Sequence, residues 1–255
     1  MEIDDIIQKR PHLRETLLLY KKIREFNNVV TTSFRGFIHK GDISYPPEIV
    51  NEVFDLFSRI FEVPSEGLEP LREAMLLGQI DLTRLPHNEM SGFLLPYHEE
   101  ELWMVLFILG RPFFLDMKRL IDFEGLFWEE GKCPLCSARP VISSLLEDGR
   151  RRLHCSYCGT TGFSRRFGCP VCGNFEISKD NIITIEGEED FRIEVCDECG
   201  SYIKTVKEKV LDEFSTVGGS TADLVDLITL PLDIIAQGRG YRRNAPNPLG
   251  MLRMA

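Results

Sequence analysis

The feature that most constrains this chain is the placement of its cysteines. All eight fall in the 67-residue stretch from Cys133 to Cys199, as four pairs of one form. The pairs are Cys133-Pro-Leu-Cys136, Cys155-Ser-Tyr-Cys158, Cys169-Pro-Val-Cys172 and Cys196-Asp-Glu-Cys199, and Gly159, Gly173 and Gly200 directly follow three of them. A Cys-x-x-Cys turn aims two thiolates at one ion, and a small residue after it lets the backbone curl round the sulfurs. Eight cysteines make two four-sulfur sites. Pairs one and two are 18 residues apart, pairs three and four 23, and pairs two and three only 10. The first spacing suits a zinc ribbon, and the second is slightly long for one. The short gap reads as a linker between sequential ribbons. We therefore expect Cys133, Cys136, Cys155 and Cys158 to hold one ion and Cys169, Cys172, Cys196 and Cys199 the other. An interleaved arrangement, with pair one joined to pair three, is the alternative. Zinc is the expected ion, two per chain, with iron as the alternative, because tetrahedral sulfur sites accept either.

Disulfides and thioredoxin-type catalysis compete with this reading. A disulfide framework belongs to oxidising compartments. The chain opens Met-Glu-Ile-Asp-Asp, acidic where a secretory leader is basic. A redox motif needs one Cys-x-x-Cys at a strand-to-helix turn, not four in a β-rich module. The longest apolar run, Leu102 to Leu109, is far short of the ~20 residues a membrane helix needs. The expectation is a cytoplasmic protein without membrane insertion.

Charge is unevenly spread in a chain of net −10. Residues 1–130 carry net −9, residues 131–168 net +5, residues 169–210 net −5 and the remainder −1. A four-thiolate zinc site adds about −2 to each ribbon, so the first stays positive and the second becomes more negative. Such a module suits a charge-matched protein surface better than a nucleic-acid backbone.

The fold class expected is α+β. Residues 1–130 read as an all-α domain. Helices are expected over 11–27, from Pro46 and Pro47 to Pro64, from Pro70 to Gly78, and from Tyr97 onward with Pro112 kinking or restarting the last. Gly36 and Gly41 bracket a break, and Asp81 to Pro96 reads mainly as loop. Residues 131–168 and 169–210 are the two ribbon modules. Each carries a hairpin between its knuckles, turning at Glu147-Asp148-Gly149 in the first and over Glu186 to Asp190 in the second. After Tyr202 a strand or turn leads to Gly218-Gly219. Residues 211–255 hold a C-terminal helix, capped by Ser220 or Thr221 and kinked at Pro231, and then a polar tail. Since the helical half has its own apolar stripes, removing metal is expected to unfold the ribbons and spare the helices.

Little else points to chemistry. His12, His39, His87, His98 and His154 form no metalloprotease motif, and His154 is at most a neighbour of the first site. Glu99, Glu100 and Glu101 suit the start of a helix. No phosphate loop or nucleophile elbow appears. Arg150, Arg151, Arg152, Arg165 and Arg166 make the one basic cluster, which either balances the thiolates or docks a partner. In the docking reading the hairpin carrying Arg150 to Arg152 points away from the metal.

These pieces together resemble the formate dehydrogenase accessory protein family, FdhE. The resemblance rests on Cys133-Pro-Leu-Cys136-Ser-Ala-Arg-Pro140, Leu153-His-Cys155-Ser-Tyr-Cys158, Arg166-Phe-Gly-Cys169-Pro-Val-Cys172-Gly173 and Cys196-Asp-Glu-Cys199-Gly-Ser-Tyr202-Ile-Lys204-Thr205. It continues through Asp223 to Asp233, Gly240-Tyr241-Arg242-Arg243 and Asn247-Pro248, and covers about residues 131–250. Phe163 stands where many members carry tryptophan, and the N-terminal 130 residues match only as helical and acidic. The resemblance implies two rubredoxin-like metal modules behind a helical domain. It also implies a cytoplasmic accessory protein that binds the catalytic subunit of a respiratory molybdenum- or tungsten-dependent formate dehydrogenase before export. The knuckle cysteines would be needed for that binding, and the protein would not be an enzyme. A zinc-ribbon nucleic-acid-binding protein and a double-rubredoxin-like iron redox protein are the alternatives. A homodimer is left open.

Overall fold

A computed structural model of the chain describes residues 3–33, 45–87, 95–118, 126–129, 131–176, 181–215 and 220–254. The breaks read at Gly36 and Gly41, and the turn at Gly218 and Gly219, lie outside these residues.

The N-terminal half is helical. Helix α1 (Ile3–Lys9) was not read from the sequence, because seven residues carry too little period to show. A 3-10 turn at Pro11–Leu13 feeds α2 (Arg14–Ser33), whose Leu17, Tyr20, Ile23, Phe26 and Val30 are buried at helical spacing. Helix α3 (Pro47–Phe61) buries Ile49, Val50, Val53, Phe54, Phe57 and Ile60. It ends at Glu62, two residues before the proline expected to stop it, in a left-handed cap whose N–H donates to Ser58 O. Helix α4 is Glu69–Leu76 and α5 is Glu99–Met117. Helix α5 runs unbroken through Pro112, and every residue from Leu106 to Phe114 is buried. A proline inside a helix removes a backbone hydrogen bond, and packing on all sides keeps this one in place. Within the stretch read as loop, Leu82–His87 forms a 3-10 helix that buries Leu82 and Leu85.

The ribbons follow as six strands: β1 (Pro140–Leu145), β2 (Arg151–Cys155), β3 (Thr161–Ser164), β4 (Ile182–Thr184), β5 (Phe191–Cys196) and β6 (Ser201–Lys207). Both expected hairpins are present, with Gly149 (φ 81°) and Gly187 (φ 82°) in the turns. The modules are not separate sheets. They join into one sheet of order β3-β2-β1-β6-β5-β4, in which all neighbours are antiparallel except the central pair β1 and β6. That parallel seam pairs Ser143 with Thr205, whose hydroxyls lie 2.7 Å apart. At the β3 edge, residues 126–128 add a short bridge, with Trp128 N–H donating to Phe163 O and Phe163 N–H to Leu126 O.

Among the described residues, 208–238 hold three helices, where a strand or turn and one kinked helix are expected. Helix α6 (Glu208–Phe214) follows β6 directly, α7 (Thr221–Ile228) begins at Ser220, and α8 is Leu230–Gly238. The Ser220 hydroxyl accepts from Asp223 N–H as the N-cap of α7, and the expected kink is a break at Thr229, with Pro231 in the first turn of α8. Helices α7 and α8 cover the sheet: Val225 packs with Ile142 and Val206, and Leu232 and Ala236 with Ile193 and Tyr202.

Two candidate metal centres

The four knuckles share one backbone device. The residue after each second cysteine is left-handed: Ser137 (φ 62°), Gly159 (66°), Gly173 (77°) and Gly200 (64°). The first knuckle thus places a serine where glycine is favoured. In knuckles one to three the first cysteine's carbonyl accepts from that residue's N–H, as in Gly159 to Cys155 O at 3.1 Å. Its own N–H donates across the turn, to Ala138 O, Thr160 O and Asn174 O respectively. With the backbone groups satisfied in this way, the sulfurs converge.

The structure brings Cys133, Cys136, Cys155 and Cys158 into one cluster and Cys169, Cys172, Cys196 and Cys199 into another. Within each, the sulfurs all lie within 4.8 Å of one another. Distances of 3.4 Å (Cys136–Cys155), 3.5 Å (Cys133–Cys158) and 3.7 Å (Cys169–Cys199 and Cys172–Cys196) lie just under the ~3.8 Å between sulfurs on a tetrahedral ion with bonds of about 2.3 Å. The sequential arrangement is the one present, not the interleaved one. An all-sulfur donor set at these spacings fits zinc or iron, so each cluster could hold one metal ion. Hydrogen bonds from Cys133, Cys136 and Cys155 draw the Cys158 thiol far below its ordinary range, while burial pushes Cys155 up.

The two clusters differ in surroundings. The first is sunk in the core of the helical half. Tyr157, between Cys155 and Cys158, donates its hydroxyl to Leu85 O (2.9 Å) and places its ring 5.0 Å from Phe107 and 5.3 Å from Phe114 of α5. Cys133, Cys136, Cys155 and Cys158 are all buried. In the second cluster Cys172 is exposed and Cys199 half-buried. His154 is not a ligand. Its Nε2 lies 2.8 Å from Ser144 Oγ, and burial drives its pKa down to about 3, so the ring is neutral.

Gly131 sets the contact between the ribbons. Its φ is 61°, and a Cβ there would lie 1.4 Å from the carbonyl oxygen of Pro170 in the third knuckle. Only a residue without a side chain lets the first and third knuckles meet.

The arginine cluster needs correction. Arg151 is buried, not free to dock: it donates to Glu194 Oε2 (2.7 Å), Gly168 O (3.0 Å) and Ser143 Oγ (3.3 Å), tying β2 to the second ribbon. Arg152 pairs with Glu208 at 2.6 Å and Arg150 with Asp148 at 2.7 Å. Arg151 is thus used in the interior, while Arg150 and Arg152 are paired with carboxylates of the same chain nearer the surface.

The polar motif residues of the C-terminal region form a buried ionic knot. Lys204 Nζ lies 2.7 Å from Asp226 Oδ1 and 2.6 Å from Asp233 Oδ2. Arg243 lies 2.6 Å from Asp226 Oδ2 and 2.8 Å from Asp233 Oδ1, and the Tyr202 hydroxyl donates to Asp233 Oδ1 at 2.7 Å. Asp223 pairs with Arg111 of α5 and accepts from the Tyr20 hydroxyl of α2. The tail is fixed separately: Asn247 Oδ1 accepts from Leu249 and Met251 N–H, and Gly250 lies so close to α5 that a Cβ would be 2.9 Å from Met104 Cα. None of this was legible as a site. The sequence signal was that these residues lie in the stretches that carry the resemblance, Tyr202 to Thr205, Asp223 to Asp233 and Gly240 to Arg243.

Comparison with known proteins agrees with this architecture. Residues 169–250 match a family model described as "FdhE, C-terminal domain". A 145-residue stretch is 30% identical to a Protein FdhE homolog of Aquifex aeolicus, covering 55% of this chain and 49% of that protein. A 130-residue stretch is 33% identical to a Protein FdhE homolog of Shewanella baltica, covering 48% and 40%. Protein FdhE of Escherichia coli is 32% identical over 120 residues, covering 46% and 36%. The matched part thus spans half or less of the length of these relatives. The crystal structure of the FdhE protein from Pseudomonas aeruginosa covers 93% of this chain and 89% of its own, with TM-score 0.56 and 19% identity, which establishes a shared fold. Knuckle order, tail and fold converge: residues 169–250 are similar to the C-terminal domain of FdhE proteins, and the chain shares the fold of one of them.

Proposed function

We propose that this chain is a metal-bound accessory protein of formate dehydrogenase maturation. It holds the catalytic subunit of a molybdenum- or tungsten-dependent formate dehydrogenase in the cytoplasm before export and carries out no turnover itself. The observation that carries the reading is the convergence of all eight cysteines into two four-sulfur clusters on a domain similar to that of FdhE proteins. Its ions, two per chain and zinc rather than iron, would be held by Cys133, Cys136, Cys155 and Cys158 and by Cys169, Cys172, Cys196 and Cys199. Their contribution is structural, because a hairpin of this size cannot bury enough apolar surface to hold its shape alone. The fate of the other polar groups supports binding over catalysis. Tyr202, Lys204, Asp226, Asp233 and Arg243 neutralise one another in the interior.

The test is affinity capture of the tagged, metal-replete protein from native cytoplasm under reducing conditions, read by mass spectrometry. Enrichment of a formate dehydrogenase catalytic subunit that is lost in a Cys196→Ser/Cys199→Ser variant is the expected result. Equal recovery with wild type and variant, or no such subunit at all, counts against the proposal. Metal analysis on the same sample should find two zinc ions per chain.

A further inference from the structure

The segment between β3 and the third knuckle, together with the cleft beside it, has features that the metal sites do not use. Phe167 is 74% exposed and Phe175 55% exposed, on either side of the second centre's first cysteine pair. The Arg165 guanidinium lies 4.6 Å over the Phe175 ring, and that of Arg166 lies 5.6 Å from Phe167. Stacking of this kind holds a guanidinium against a ring and leaves its N–H edges free to bind. Among the described residues, no carboxylate pairs with Arg165, Arg166 or Lys132, in contrast to Arg150, Arg151 and Arg152. Lys132, Arg165, Phe167 and Phe175 line a cleft of about 370 Å³ that also reaches the exposed Cys172. Its wall includes the buried indole of Trp128, whose N–H has no partner.

We propose that this face is a docking surface for an acidic segment of a partner protein, with carboxylates on Arg165 and Lys132 and an apolar side chain between Phe167 and Phe175. Charge complementarity selects the occupant. Lys132, Arg165 and Arg166 gather here, on a chain of net −10, and outnumber the one carboxylate of the cleft's lining, Glu129. The cleft is at the small end of the ~300–1,000 Å³ range of ligand sites, so it takes one or two side chains rather than a whole cofactor. Aromatic and arginine side chains are also the residue types that dominate binding energy at protein interfaces. A nucleic acid would need the basic track to continue, and it does not: residues 169–210, beginning at the third knuckle, are net −5. A docked segment would also cover the exposed edge of the second metal centre.

The identity of the partner rests on the function proposed above; the chemistry of the face does not. The experiment places a photoreactive benzophenone amino acid at position 167 of the full, metal-loaded chain, with the exposed Leu77 as control site. After irradiation in cells, the attached peptide is sequenced by mass spectrometry. The expected adduct at 167 is a segment rich in Asp and Glu. Its yield falls roughly tenfold in the Arg165→Glu/Lys132→Glu background, and two metals per chain are retained. An adduct to a neutral or basic segment, an adduct to nucleic acid, a yield unchanged by charge reversal, or no adduct at 167 overturns the docking face. If the acidic segment belongs to a protein other than a formate dehydrogenase catalytic subunit, the face stands and the proposed function falls. If that subunit attaches only elsewhere, the function stands and the face falls.

Discussion

Lys204 is the most informative residue to remove. It sits on β6, wholly buried, with Nζ 2.7 Å from Asp226 Oδ1, 2.6 Å from Asp233 Oδ2 and 2.7 Å from the carbonyl oxygen of Asp226. Two cations face two carboxylates in the knot, so Lys204→Met leaves both acids with Arg243 alone. Methionine approximates the volume and supplies no charge. Removing one partner of a buried ion pair typically costs about 3–5 kcal/mol, because the remaining charge is left unneutralised in the interior. With ~2–4 °C lost per kcal/mol at this chain length, a fall in Tm of roughly 10 °C is expected. Tyr202→Phe removes two hydrogen bonds, one donated to Asp233 and one accepted from Gln237, but no charge, and should cost about 1–3 kcal/mol. The assay is urea unfolding followed by tryptophan fluorescence in reducing, zinc-replete buffer, with metal content measured on each variant. If Lys204→Met unfolds within about 1 kcal/mol of wild type with both ions bound, the knot does not hold the C-terminal helices to the sheet and the reasoning fails.

Three further outcomes are expected. Gly131→Ala should be strongly destabilising, because it adds a left-handed alanine and a clash with Pro170 O at once; normal expression, stability and metal content would show that the knuckles can separate at no cost. Chelator titration followed by a zinc-sensitive dye should be biphasic, the ion near exposed Cys172 leaving first and the ion buried with Tyr157 later; Cys172→Ser should abolish the fast phase, and a single phase in wild type would contradict the difference in burial. Burial opposes ionisation of Asp233, but Lys204 and Arg243 outweigh it and hold the carboxyl below the ordinary range. Its folded pKa lies below the unfolded value, so its contribution is complete above about pH 4 and is lost as pH falls further. The stability gap between wild type and Asp233→Asn should therefore be flat from neutral pH down to mildly acidic pH and narrow only below it.

How far the sequence could be read follows from the range of the forces involved. Knuckles, hairpin turns and helix stripes are local: Cys133-Pro-Leu-Cys136, Gly149 and the spacing of Ile49, Val53 and Phe57 each carry their own signal. The sulfur clusters were legible because the 10-residue gap leaves sequential ribbons little choice. Contacts between distant elements were not legible. Nothing near Ser143 announces that it will lie beside Thr205 and fuse two ribbons into one sheet. Nor does Arg151 differ in its neighbourhood from Arg150 and Arg152; alternation along β2 turns it inward, toward Glu194. A short element such as α1, and the helix at Glu208–Phe214 read as strand or turn, carry too few residues for periodicity to decide.

The buried position of the first cluster changes what metal does for the protein. Four like knuckles suggest two equal modules appended to a helical domain that can survive without them. Tyr157 argues otherwise. Its ring is packed edge-on against Phe107 and Phe114, and its hydroxyl caps a carbonyl of the 3-10 turn at Leu85. The knuckle that carries it is held in shape by Cys155 and Cys158. Loss of the first ion therefore withdraws an aromatic anchor from the centre of α5 and exposes the apolar surface it covers. The Arg111–Asp223 pair and the seat of Gly250 on Met104 tie the C-terminal segment to the same helix. Helix α5 is thus the shared wall of the helical half, the first ribbon and the tail. Chelation that reaches the first centre should lower helical circular dichroism as well, whereas stripping the second centre alone should leave it unchanged. The two metals, alike in ligands, would then divide the work: one completes the core, and the other shapes a surface.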